Sequence, residues 1–382
     1  MKKPNDFGFM VTLMTITLIA YIIACVLLCQ CRASVNPRDP PFNAAGDGIT
    51  DDTAALQAAV SYAIGISDEV YLPSGFYLIR SAIQVNGPLT FRGLNEEQSV
   101  ILLGNPAAGG FNVTTKAPCH LEKLCIAGMA VGSAGAGITV APSNGSNTES
   151  TFYRINIGRA NIGFDFESAA YWKVDSCAVF GWTAHGVVIK DTARVDAGDN
   201  SITNCLFLKN GPGGAAVYQE SSSGLRLVNN KMLGGDYGYF MFLKVGSTTC
   251  DLIISNNSIE GQRLSGVFMI NAVSGVVYLN AIVAGNEFEG QAEAIWIEDT
   301  GSQPWLLGLT LTGNDINIPG VGGVAMDLNG VSGPAISGNY MRSNGGTTYG
   351  IVLREQTQNG STGTNTSVAL NYPYTDFGVN NQ

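Results

Sequence analysis

Charge is scarce in this chain. Only 13% of the 382 residues are Asp, Glu, Lys or Arg, and no basic run occurs. The formal net charge is −10. Such a chain repels phosphate backbones, so no nucleic-acid partner is expected. An anionic polysaccharide would need local Lys or Arg, or a bridging cation. The strong helix formers Lys and Glu are few, which argues against a helical architecture. Beyond residue 31 the five cysteines Cys119, Cys125, Cys177, Cys205 and Cys250 show no CxxC spacing, so neither a metal site nor a full disulfide framework is indicated. They read as small buried apolar residues. What is abundant is Val, Ile, Asn, Ser and Gly, with 48 glycines. That balance favours short strands and tight turns.

Long apolar runs are confined to the start. Residues Phe7 to Cys31 carry no charge, after Lys2 and Lys3 and before Arg32. Residues 1–33 therefore read as a secretory signal peptide, cut after Ala33, or as a retained signal-anchor helix, since about 20 apolar residues span a bilayer. Either form places the remaining chain outside the cytoplasm and restricts membrane contact to this segment. The positive flank predicts an N-terminus left inside.

A repeat organises the second half. Seven segments align without gaps on Cys177, Cys205, Asn230, Asn257, Asn286, Asn314 and Asn339, at steps of 25 to 29 residues. Leu124-Cys125-Ile126 is an earlier, weaker copy. Two residues after the anchor stand Val179, Phe207, Met232, Ile259, Phe288, Ile316 and Met341. Three before it stand Val174, Ile202, Leu227, Ile254, Val283, Leu311 and Ile336. Both columns are wholly apolar, while the positions one and three after the anchor are mixed. After the anchor this is the period-two alternation of a strand with one buried face. The odd offset before it requires a bend that resets the parity. A second strand recurs as Gly186-Val-Val-Ile, Ala215-Ala-Val-Tyr, Gly266-Val-Phe-Met, Ala294-Ile-Trp-Ile, Gly323-Val-Ala-Met and Gly350-Ile-Val-Leu. A unit this short with no helical period fits a parallel β-helix, a solenoid of stacked coils. The five consecutive Asn anchors point inward at the bend and read as a structural amide ladder.

One helix is predicted, early. Thr50 is placed to cap it, acids fill its first turn, and Leu56, Val60 and Ala63 share a face. Such a helix would cover the open apolar end of a solenoid. The run Phe42-Asn-Ala-Ala-Gly46-Asp47-Gly48-Ile-Thr-Asp51-Asp52-Thr53-Ala-Ala-Leu-Gln57 and the following Val70-Tyr-Leu-Pro73-Ser-Gly75-Phe-Tyr resemble the opening motif of the pectate lyase superfamily domain, shared by polygalacturonase-related proteins and phage tailspikes. The coils extend the resemblance over about residues 42 to 355. It implies an all-β, right-handed parallel β-helix that acts on or binds complex polysaccharides, with Asp47, Asp51 and Asp52 as structural residues of the cap. The expected organisation is a leader at 1–33, a helical cap at 34–66, the β-helix at 67–355 and a tail or cap at 356–382. The ordered Asn-Thr-Asp, Asp-Asp and Gly-His-Gly motifs of polygalacturonase-type enzymes are absent. Thr183-Ala184-His185-Gly186 is the nearest approach, and the Arg-rich lyase motif is missing too.

Glycosidic cleavage takes two carboxylates across the bond, about 5 Å apart for retention and about 6.5–9.5 Å for inversion. A lyase takes a base with a cation, so Ca²⁺ is a cofactor here only if the chain is a lyase. The register points to two places. Outward columns of neighbouring coils, about 4.8 Å apart, pair Glu260 with Glu289 and Glu287 with Asp315, and like charges that close should raise one pKa. Glu260 and Glu289 are the candidate catalytic pair. Glu287, Asp315, Asn317, Arg342 and Tyr340 are candidate substrate contacts beside them. The bland alternative is a solvated acidic face. The second place is the loop carrying Asp196 and Asp199 as candidate catalytic acids, with Trp182 and His185 as substrate contacts; there the acids could equally be turn formers. A column of Glu167, Lys190, Gln219, Glu298, Asp327 and Arg354 reads as a surface charge ladder. The function implied is an exported polysaccharide-active protein cleaving glycosidic bonds, as a lyase or a glycoside hydrolase. The alternative is a non-catalytic carbohydrate-binding, adhesive or tailspike-like β-helix, which would be a trimer if tailspike-like.

Overall fold

The computed structural model describes residues 34–376 apart from 68, 106, 130–134, 144–145, 191–198, 221–223, 244–249, 272–278, 300–304, 346, 369 and 371. The apolar leader and Asp196 therefore lie outside the described residues. Among the described residues, no helix is long and apolar enough to cross a membrane.

The architecture is a right-handed parallel β-helix. Among the described residues, a first sheet of 23 strands holds both arms of the bend, and a second sheet of 12 strands closes the coils. The two apolar columns stack in the expected register. Val174 pairs with Ile202, then Leu227, Ile254, Val283, Leu311 and Ile336. Val179 pairs with Phe207, then Met232, Ile259, Phe288, Ile316 and Met341. All of these side chains are buried. The parity reset has a local cause. The residue before each anchor is left-handed: Ser176, Asn204, Asn229 and Asn256 at φ 55 to 58°, then Gly285, Gly313 and Gly338 at φ 65 to 67°. Asn and Gly tolerate that conformation, and one such residue between extended arms turns two inward positions into an odd spacing. A further coil lies at Arg154-Ile155, whose Arg154 is also left-handed, and the early copy stands in register at Leu124.

The anchor side chains form the ladder. Asn257 Nδ2 donates to the Leu227 carbonyl at 2.9 Å and to Asn286 Oδ1 at 3.0 Å, and that same oxygen accepts the Asn257 backbone N–H at 3.0 Å. Asn230, Asn286 and Asn314 repeat this pattern, and Asn339 extends it to a further rung at Asn365. Cys177 and Cys205 continue the column as free thiols, and Cys119 and Cys125 are free as well.

The cap differs from expectation in detail. Helix α1 (Thr53–Ile66) starts after Asp52, with no acid in its first turn. Thr50 lies in the preceding strand Asp47–Asp51. Asp52 turns inward, where its carboxylate accepts the Ala45 and Gly46 backbone N–H groups at 2.6 and 2.9 Å. Asp51 Oδ1 instead accepts the Thr53 backbone N–H at 3.0 Å, and Asp47 holds Ile49 and Thr50. These acids thus tie the turn before the helix together. Leu56, Ala59, Val60 and Ala63 of α1 are buried against the first coils. At the other end the coils run past residue 355, because Ser361–Thr362, Thr366–Val368 and Tyr372–Asp376 pair in parallel with the coil before them.

The second sheet corrects the sequence alignment. Val187 pairs with Val217 and Ile295 with Met326, so the small residues opening its strands are Gly186, Ala216, Gly238, Gly266, Ala294 and Ala325. Ala215 and Gly323 stand one and two places away. Small residues are required there: a Cβ on Gly186 would lie 2.5 Å from the Ala216 carbonyl and 2.9 Å from the Phe207 ring.

Candidate functional site

The acidic columns of the first sheet lie as expected. Glu260 pairs with Glu289 and Glu287 with Asp315; Asp315 then pairs with Tyr340, and Asn317 with Arg342. Their electrostatics differ from expectation. The Ser258 hydroxyl, followed by Lys231 at 3.1 Å, holds the Glu260 carboxyl below the usual carboxylate range. Its neighbours therefore make Glu260 a poorer proton donor. Asn317 Nδ2 sits 3.4 Å from Glu289, and Arg342 lies 3.5 Å from Asp315 and over the Tyr340 ring. Asp315 Oδ1, Asn317 Oδ1 and Arg342 Nε are buried without hydrogen-bond partners among the described residues.

Of the loop cluster, Trp182, His185 and Asp199 fall within the described residues. Trp182 is 2% exposed and packs edge-on against Phe207 in the core. Trp172 is equally buried, stacked on Phe166 at 3.7 Å. Neither offers a ring face to a sugar, so Trp182 is not a substrate contact. Asp199 is an exposed left-handed turn residue at φ 57°. His185 stacks on Tyr218 at 4.4 Å, and its Nδ1 accepts the Ala215 N–H at 3.1 Å. Burial pushes its pKa down to about 4, so the ring is neutral near pH 7.

The strongest concentration of chemistry is on the outer face of the second sheet, which sequence reasoning did not single out. One register column there runs from Asp165 through Val188, Tyr218, Phe240, Phe268 and Trp296 to Asp327. Its rings meet in succession, Tyr218 tilted against Phe240 at 5.2 Å, then Phe240 stacked on Phe268 at 5.0 Å and Phe268 on Trp296 at 4.2 Å. Around Trp296 the acids gather. The indole N–H donates to Glu298 at 3.1 Å. On the next coil Asp327 accepts both prongs of the Arg354 guanidinium, Nε at 2.6 Å. Glu293 begins the Trp296 strand, Glu293–Asp299. Its Oε2 is buried without a hydrogen-bond partner among the described residues. Burial first, then the like charge of Asp327, pushes Glu293 up to about 7 against the pull of Arg354. A carboxyl poised near neutrality beside an Arg-held carboxylate is an arrangement suited to proton transfer. The expected ladder of Glu167, Lys190, Gln219, Glu298, Asp327 and Arg354 is not one column. Gln219 points into the core and Asp327 belongs to the Trp296 column. Among the described residues no group of acids, cysteines and histidines is placed to hold a metal ion.

Stacked coils, an αL-Asn bend and a helical cap define a parallel β-helix of the pectate lyase-like class. Residues 38–295 match the family described as rhamnogalacturonase A/epimerase, pectate lyase-like, and the chain belongs to that family. Depolymerase 1, capsule K3-specific, of Klebsiella phage KP32 is 28% identical over 251 residues, which cover 57% of this chain and 27% of that protein. The chain thus spans about a quarter of the length of that relative. In structure it is similar to the surface adhesin PfbA of Streptococcus pneumoniae, with a TM-score of 0.65 at 17% identity over 90% of this chain and 93% of the other. It is also similar to the A-module of the Azotobacter vinelandii mannuronan C-5 epimerase AlgE6, with a TM-score of 0.66 at 16% identity over 91% and 99% of the two chains. At these identities the structural likeness speaks for the fold alone.

Proposed function

We propose that the protein is an exported polysaccharide-depolymerising β-helix that cleaves glycosidic bonds on the outer face of its second sheet, with Glu293 as proton donor. The observation that carries this reading is the buried Glu293 carboxyl, whose Oε2 has no hydrogen-bond partner among the described residues and which feels the charges of Asp327 and Arg354. In hydrolysis Glu293 would pass its proton to the departing glycosidic oxygen, the oxygen of water would bond to the anomeric carbon, and the proton that water sheds would return to the Glu293 carboxylate. Membership of the pectate lyase-like family and the phage capsule-depolymerase relative support a glycan as the ligand. The leader at 1–33 supports export. The second reading is a non-catalytic glycan binder. The buried Asn317 Oδ1 and Arg342 Nε, without hydrogen-bond partners among the described residues, favour it, because such atoms are satisfied by sugar hydroxyls.

The test is reducing-end release from a panel of capsular and plant polysaccharides by the exported domain. Wild type should release ends, and Glu293→Gln should lower the rate by about 10²–10⁴-fold. Activity should also fall as pH rises through about 7. An unchanged rate in Glu293→Gln overturns the assignment of the donor. Binding without product release by wild type establishes the second reading instead.

A further inference from the structure

At the other end of the aromatic column the outer face opens into a cavity of about 370 Å³. Its polar lining is Asn112, Thr139, Asp165 and Glu167. Asn112, Thr139 and Asp165 occupy three successive rungs of the column that continues to Trp296 and Asp327. Phe111 and Ile162 add apolar surface, and the remaining walls are Ala and Gly. The close walls are required: a Cβ on Gly109 would meet the Ala136 carbonyl at 2.6 Å, and one on Gly135 the Ala108 carbonyl at 2.3 Å. Asp165 is 9% exposed, and Lys190 pairs with it at 3.4 Å.

We propose that this cavity is a subsite for one neutral, hydroxyl-rich sugar unit of the polysaccharide, and that it selects against uronate units. The proposal rests on the glycan reading above and names part of its substrate. The cavity presents two carboxylates, an amide and a hydroxyl, with one Lys at its edge. Such a lining accepts hydrogen bonds from hydroxyl groups and repels a second carboxylate. Burial also raises the Asp165 carboxyl above its ordinary range, as a site without surplus positive charge should. A volume of this size is in the range of small-ligand pockets and admits a sugar ring. From Asp165 to Asp327 the column takes six coil steps of about 4.8 Å, or about 29 Å. One glycan lying along the solenoid would therefore reach from this anchor to Glu293.

The experiment is isothermal titration of the chain with neutral hexose hexasaccharides and with oligogalacturonate hexamers, at pH 6 and in catalytically silenced Glu293→Gln background as well as wild type. Ala107, exposed on the rim, is replaced by Trp to fill the mouth, and Asp165→Asn/Glu167→Gln removes the acids. In the Glu293→Gln background, which spares the probe from cleavage, the neutral hexasaccharide should bind. Ala107→Trp should weaken it at least tenfold with unchanged circular dichroism, and the double variant should lose the discrimination against oligogalacturonate. Equal affinity in Ala107→Trp, tighter binding of oligogalacturonate than of every neutral probe by wild type, or no binding of any neutral probe overturns the proposal. Because the readout is binding, failure of Glu293 as donor leaves this result distinguishable.

Discussion

At the residue scale the chain relies on amides placed where the backbone bends. Each inner Asn of the ladder serves two coils at once. Asn286 Oδ1 accepts both the backbone and side-chain N–H of Asn257, while its Nδ2 donates to Ile254 and Asn314. Asn286→Ala strands those partners in the core, so it should cost about 3 kcal/mol, read as a lower denaturant midpoint. Asn365→Ala, at the half-buried last rung, should cost about 1 kcal/mol. Equal losses would show that the ladder is not acting as a chain. Glu293 provides a second residue-scale test. Its carboxyl titrates at about 7 in the fold, against an ordinary value of 4.5. Between those values the folded state holds a proton that the unfolded chain has released, so stability from this group is lost as pH rises through that window. Glu293→Gln stays neutral throughout. Its melting temperature relative to wild type should rise from pH 5 to pH 8, and a constant difference would mean that Glu293 ionises normally.

At the element scale the outcome turns on which face each short strand buries. The apolar columns around the anchor were legible because seven copies repeat them with the same offsets, and no other register buries all of them. The second strand was less legible. Its opening residue is Gly or Ala in each coil from Gly186 to Gly350, and runs such as Ala215-Ala216 and Gly323-Val-Ala325 offer several small residues to align on. A shift of one or two places there hid the outward column of Tyr218, Phe240, Phe268 and Trp296, and with it the place of Asp327. That aromatic column is the signal that would have pointed to Glu293. The helix α1 was legible from its apolar stripe, but not its start, since Asp52 is drawn inward by two backbone N–H groups. Val60→Asp would bury a charge under the cap, costing at least 3 kcal/mol and exposing apolar coil edges. The measurement is the soluble fraction that elutes at the wild-type position in size-exclusion chromatography, with exposed Ser61→Asp as the unaffected control.

At the scale of the whole molecule, the solenoid sets up distance. Each coil adds about 4.8 Å, so sites on one column are spaced like marks on a rule, and a polymer is a ligand that can use several of them. The sequence by itself determined the solenoid, its inward columns, the Asn ladder and the acidic columns of the first sheet, because a fixed repeat read in register is already a statement about stacking. Only the tertiary structure decided which polar groups matter. Trp182 disappeared into the core, Glu260 gained Ser258 and Lys231 as neighbours, and Glu293 came beside Asp327 and Arg354 from later coils. Burial and the company of charges from neighbouring coils set protonation, and neither is written in the order of residues along the chain.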